Sequence, residues 1–139
     1  MNYRVILDKD AYMPERAHAE DAGADLRSPI KVRIPARGSV VIDTGVHIEI
    51  PAGYAGFLKS KSGLNVKHGL ISDGTIDAGY TGSIAVKLYN LSYEDYVIEK
   101  GDKITQIVIE KVELPGFEQV ESFETDTARG DGGFGSTGK

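Results

Sequence analysis

Cysteine is absent from the 139 residues. That excludes disulfide scaffolds, thiolate zinc sites, iron–sulfur clusters and cysteine nucleophiles, and it makes a reducing compartment, the cytoplasm, the expected location. Long apolar runs are absent too. The opening Met1-Asn2-Tyr3-Arg4-Val5-Ile6-Leu7 has no apolar core of the kind a signal peptide needs, and no stretch approaches the ~18 apolar residues that cross a bilayer. The expectation is a chain neither exported by that route nor membrane-bound. Basic charge is in deficit: 16 Lys and Arg face 21 Asp and Glu, for a formal net charge of −5. A protein that coats nucleic acid is therefore not expected, and any polyanion must be met locally by a few placed cations or a metal. The three histidines, His18, His47 and His68, have no metal-ligand spacing. His47 is expected on the exposed face of a strand, and all three lie outside the expected site. There is no internal repeat, heptad or domain linker.

What remains is one globular domain's worth of chain, 40% hydrophobic and 27% charged. Apolar and polar residues alternate with period two in Lys31–Ile34, Val46–Ile50 and Ile84–Tyr89, as half-buried strands require. Ile104–Val112, Val40–Ile42 and Tyr54–Leu58 add β-rich stretches. Turn signals separate them at Pro35–Gly38, Pro51–Gly53, Asp73-Gly74, Lys100–Asp102 and Leu114–Gly116. Short strands spaced by such turns predict an all-β fold, an antiparallel sandwich or barrel. Helix is confined to Pro14–Glu20 and one turn around Ser62–Val66.

Composition shifts once, at the end. Residues 1–124 read as the β domain, whereas 125–139 hold Gly130, Gly132, Gly133, Gly135 and Gly138 with Phe134 as the only large apolar residue. Such a segment cannot bury enough to order itself. It does combine a cation (Arg129), a stacking ring and the hydroxyls of Ser136 and Thr137 on backbone that can approach a ligand closely, which is suited to binding a nucleotide.

Five segments stand out in order along the chain: Ala22-Gly23-Ala24-Asp25-Leu26; Lys61-Ser62-Gly63-Leu64; Gly74-Thr75-Ile76-Asp77-Ala78-Gly79-Tyr80-Thr81-Gly82; Gly101-Asp102-Lys103-Ile104-Thr105-Gln106; and Arg129-Gly130-Asp131-Gly132-Gly133-Phe134-Gly135-Ser136-Thr137-Gly138. Together they resemble the five motifs of the trimeric deoxyuridine triphosphatase (dUTPase) family. The resemblance implies a jelly-roll-like β fold, a homotrimer with sites at subunit interfaces, a flexible C-terminal arm completing a site elsewhere in the trimer, and hydrolysis of dUTP to dUMP and pyrophosphate with Mg²⁺. At ~3.3 Å per residue the last fifteen or so residues could span on the order of 50 Å, enough to reach a neighbour.

The resemblance also implies roles. Gly74, Thr75 and Ile76 would present backbone to uracil, whose N3–H between two carbonyls leaves fixed partners unpaired if cytosine enters instead. Tyr80 would pack on the deoxyribose and exclude a ribose 2′-hydroxyl. Asp77 would accept from the 3′-hydroxyl and orient the attacking water; a carboxylate is a weak base at neutral pH, so it would act mainly by holding the water and taking a proton late. Asp25 would serve Mg²⁺ through water. Ser62 and Gly63 would meet the phosphate chain, and Gln106 a phosphate oxygen or the water. Arg129, Gly135, Ser136 and Thr137 would hold the outer phosphates, with Phe134 stacked over the base. Lys61 departs from the arginine common in relatives. It keeps the charge but loses the planar fork, so a different phosphate geometry and a mainly structural role both stay open. The same fold serves dCTP deaminases, but those need a glutamate proton carrier in the strand after the third motif, and Ser83–Tyr89 has none. A nucleotide-gated interaction protein on this scaffold is the reading from a different class, although no partner surface is legible.

Overall fold

The computed structural model describes residues 1–135 and residue 138. Ten strands and one short helix follow one another: β1 (Val5–Leu7), β2 (Gly23–Arg27), β3 (Val32–Ile34), β4 (Ser39–Asp43), β5 (Val46–Ile48), β6 (Tyr54–Lys59), α1 (Ser62–His68), β7 (Leu70–Ile76), β8 (Ala85–Asn90), β9 (Tyr96–Ile98) and β10 (Lys103–Lys111). Six strands form one sheet in the order β2-β10-β6-β7-β8-β4, and the pairs β1-β5 and β3-β9 make two small sheets. Every pairing is antiparallel. The all-β, jelly-roll-like antiparallel fold expected from the sequence is the fold observed.

Alternation explains the core. In β8, Val86, Leu88 and Asn90 point inward while Ala85, Lys87 and Tyr89 face out. Leu26, Ile34, Ile42, Val46, Leu58, Leu70, Ile84, Ile98 and Ile104, at most 1% exposed, complete one cluster to which the inward faces of both small sheets contribute. At roughly 2 kcal/mol for each such side chain, this cluster is the main force holding the strands in register. The buried polar Asn90 is satisfied: its Nδ2 donates to Ile34 O and Glu94 O, and its Oδ1 accepts from Ser92 N and Oγ.

Two expectations need correction. Pro14–Glu20 is not a helix, although alanine, glutamate and arginine favour one. Glu15 instead forms a β-bridge with Asp25, and His18 N donates to Asp21 Oδ2 across a tight turn. Pairing with the sheet edge outcompetes local propensity. Nor is His47 a freely exposed strand residue: its side chain is 24% exposed and hydrogen-bonded at both ring nitrogens.

The chain leaves the core earlier than the composition shift. After Lys111 there is no further strand among the described residues, and residues 113–131 are exposed throughout, including Leu114, Phe117 and Phe123. These apolar residues keep the composition core-like up to 124, which hides the departure from a reading by content alone. Among the described residues, no helix is long and apolar enough to cross a membrane.

Candidate active site

Strand register collects one end of the site. Asp25 on β2 lies opposite Gln106 on β10, Gln106 opposite Lys59 on β6, and Lys59 opposite Asp73 on β7, a single row across four strands. The Asp25 side chain is 5% exposed, with Lys61 Nζ 2.5 Å from Oδ1 and Lys103 Nζ 3.3 Å from Oδ2. Burial pushes the Asp25 carboxyl up, but the hydrogen bonds and charges of Lys61 and Lys103 together outweigh it and hold the group below the ordinary aspartate value. It is an ionised carboxylate with two cations on it.

Hydroxyls place Lys61. Ser60 Oγ donates to Ser72 O at 3.1 Å and accepts from Ser72 N at 3.0 Å, while Thr105 Oγ1 donates to Lys59 O at 3.0 Å. These bonds fix the end of β6, so the next residue projects back over β2. Gln106 Nε2 donates to Ser60 O at 3.0 Å, and its side chain lies across Gly23, where a β-carbon would overlap Gln106 Oε1. Any larger residue there must displace the Gln106 amide. Asp25, Lys61 and Gln106 then line a cavity of about 290 Å³ with Asp21, Gly23 and Lys59. Ser62 and Gly63 open α1 beside it, exposed, with Lys61 as N-cap and no acidic residue in the first turn.

The third segment forms the other end. β7 pairs β6 through Ile76 but pairs β8 only over Leu70–Ser72, while β8 runs on to Ala85 along β4 on its other edge. The hairpin is splayed. From Asp73 to Ile76 the backbone edge facing β8 has no ladder partner, so the alternate peptide groups of this stretch that point away from β6 are open to whatever enters the gap. A turn follows, with Tyr80 N donating to Asp77 O at 3.2 Å. Tyr80 Oη donates to Ser83 O at 2.8 Å, and its ring lies over Gly82, where any β-carbon would strike the phenol. The ring is thus fixed while remaining 46% exposed. Asp77 is exposed with no side-chain hydrogen bond among the described residues.

The two ends do not meet within one chain. Asp77 lies just past the end of β7, four residues beyond Asp73 and three strands across from Asp25, on the order of 20 Å measured along the sheet at ~3.4 Å per residue and ~4.8 Å per strand. Among the described residues, the arm joins neither. Arg129 Nε donates to Gly132 O at 2.7 Å within its own turn, and Phe134 is fully exposed. Gly135 is exposed with φ 80°, and Ser136 and Thr137 lie outside the described residues.

Lys103 escaped the reading of the sequence. Its segment was singled out, but attention fell on Gln106, and the signal was a cation three residues before that glutamine in a strand that must pair beside Asp25. No three histidines or acids cluster as a cation cage among the described residues. The donor set suits a metal that arrives already ligated by phosphate, with Asp25 reached through water, more than one caged by protein.

An antiparallel jelly-roll body carrying a buried, cation-paired aspartate and a splayed, backbone-presenting hairpin is the frame on which the comparisons fall. The dUTPase family profile matches residues 9–138. The deoxyuridine 5′-triphosphate nucleotidohydrolase of Rhodococcus erythropolis strain PR4 is 46% identical over 136 residues, covering 95% of this chain and 82% of that one. A Staphylococcus bacteriophage 80alpha dUTPase solved with dUpNHpp superposes with a TM-score of 0.94 at 36% identity, covering 99% of each chain. A dUTPase from phage phi11 of S. aureus, whose structure was described for its coordination of a structural Mg(II) ion, gives 0.84 at 34% identity, over 90% of this chain and 100% of that one. The chain belongs to the dUTPase family.

Proposed function

We propose that this protein hydrolyses dUTP to dUMP and pyrophosphate, limiting uracil incorporation into DNA and supplying dUMP for thymidylate synthesis in the cytoplasm. The observation that carries this reading is the division of the site. One region has the chemistry for a triphosphate, the other the open backbone and fixed ring for a nucleoside, and they lie on one sheet too far apart for a single dUTP. The reading therefore pairs the hairpin of one subunit with the Asp25–Gln106 row of another in a homotrimer, and lets the 125–139 arm reach across to close the site.

In that assembly Gly74, Thr75 and Ile76 read the uracil edge, and Tyr80 closes against the deoxyribose. Asp77 takes the 3′-hydroxyl and holds a water in line with the α-phosphorus. Attack forms the new P–O bond as the α–β bridge breaks, the water's proton passes late to Asp77, and pyrophosphate leaves. Lys61, Ser62, Gly63, Gln106 and, from the arm, Arg129, Gly135, Ser136 and Thr137 neutralise and orient the phosphates, with Phe134 over the base. Asp25 would hold a magnesium ion through water, and that ion would supply further neutralisation of phosphate charge.

The test is pyrophosphate release from dUTP, dCTP, dTTP and UTP in parallel, with Mg²⁺ and with EDTA. Release from dUTP alone, suppressed by EDTA, is expected. No release from dUTP by folded, assembled protein would overturn the reading.

A further inference from the structure

Residues 81–84 form the return wall of the splayed hairpin, and the β4–β5 turn fastens them. Ser83 Oγ donates to Asp43, Thr44 N and Oγ1 donate to Ile84 O at 3.0 and 2.6 Å, and Ile84 N donates to Val46 O at 2.9 Å. One more fastening comes from a side chain that titrates. His47 Nδ1 lies 2.7 Å from Thr81 O, and Nε2 lies 3.0 Å from Asp8 Oδ1.

A carbonyl and an ionised carboxylate can only accept. To make both bonds the ring must carry a proton on each nitrogen, and a neutral imidazole can satisfy only one while turning a lone pair toward the other acceptor. The surroundings agree. The Thr81 carbonyl and then the Asp8 hydrogen bond raise the His47 pKa above the ordinary histidine value, burial works against them, and the charges of Asp8 and Asp43 add to the rise. β1, the paired strand, sets Ile6 opposite His47 and carries no titratable residue, and the 81–84 wall brings none either. Arg4 and Glu49, further along the two strands, pair with each other at 2.5 Å.

We propose that His47, in its doubly protonated form, is a positioning residue for nucleoside selection: it ties the Thr81 carbonyl, next to Tyr80, to Asp8, and this two-sided clamp is broken at one of its ends when the ring loses a proton. Thr81 adjoins the residue whose ring faces the nucleoside, so slack at its carbonyl loosens the sugar wall without touching the phosphates. The inference rests on the dUTP reading for the ligand, not for the clamp. Because the folded value is raised, the clamp is fully present below the unperturbed ~6.5 and is lost as pH rises through the raised value.

Steady-state kinetics with dUTP and UTP between about pH 5.5 and about pH 9, on the unaltered protein, His47→Ala, His47→Gln and Asp8→Asn, test this, together with an NMR titration of the imidazole. In the unaltered protein KM for dUTP should rise about three- to tenfold through the His47 titration, with kcat changing less than about twofold and the preference for dUTP over UTP falling in parallel. His47→Ala should show the high KM at every pH, His47→Gln should recover part of the loss through its single donor to Thr81, and Asp8→Asn should move the transition to lower pH. A His47→Ala profile that overlays the unaltered one overturns the clamp and leaves dUTP hydrolysis standing. If the unaltered protein releases no pyrophosphate, the hydrolysis reading falls instead and the imidazole decides: titration at or below the ordinary histidine value, or unmoved by Asp8→Asn, overturns the clamp.

Discussion

At the end proposed to bind phosphate, Asp25 sits inside the sheet with its side chain 5% exposed and two lysines on it; at the end proposed to bind the nucleoside, Tyr80 is 46% exposed and Asp77 makes no side-chain hydrogen bond among the described residues. The contrast follows from what each end must do. A carboxylate can be buried only with counter-charge beside it, so the phosphate end exists only where long-range strand pairing brings β2, β10 and the end of β6 together. The other end keeps its peptide edge open, as the proposed entry and exit of a base and sugar would require, and its shape is held from behind by backbone bonds, the Tyr80 hydroxyl and His47. One end is preorganised by charge pairing, the other by the geometry of a loop.

Substitutions at the two ends should therefore fail differently. The largest effect is expected from Asp77→Asn: pyrophosphate release from dUTP should fall by about 10³-fold with an unchanged melting temperature, because nothing in the fold leans on that carboxylate. Removing the chain from Arg129 onward should cost about 10²-fold or more in turnover and leave both melting temperature and trimer mass intact; surviving activity would discard the arm's role. Asp25→Ala should damage both properties, destabilising by about 2 kcal/mol as Lys61 and Lys103 lose their partner while turnover also drops, a pairing absent from the Asp77 variant and readable by denaturant unfolding. Gly82→Ala, which pushes on the Tyr80 ring, should narrow the preference for dUTP over UTP by about tenfold at near-normal stability. Acid gives the smallest and most graded effect. The Asp25 pKa is lowered, so its stabilisation is complete above ~3.9 and fades as pH falls through the folded value; unfolding followed into acid should show this in the unaltered protein and not in Asp25→Ala.

Much of the body was legible because alternation is a local signal. Val86 and Leu88 on one face of β8, the β-branched run of β10 and the turn-forming glycines and prolines all act through nearest neighbours along the chain. β2 was not read as a strand, since Gly-Ala-Asp-Leu-Arg has no period-two pattern when Ala24, Asp25 and Leu26 are all buried. The Pro14–Glu20 segment misled for the converse reason: its helical preference is real, and the backbone pairing of Glu15 with Asp25 overrides it. His47 looked like a solvent-facing position because alternation says which face of a strand a residue occupies but not what covers that face.

The order of the five segments, the cation and acid supply they carry, the period-two strands and the coreless tail are properties of the sequence itself, since each depends on residue type and spacing over a few positions. Register, ion pairing and separation belong to the tertiary structure. Asp25 meets Lys61 and Lys103 only because β2, β10 and β6 are neighbours in the sheet, and β7 has an open edge only because its pairing with β8 stops at Ser72. The phosphate and nucleoside ends stand apart because a twisted antiparallel sheet converts residue number into distance along two directions at once, which no reading along one dimension can do.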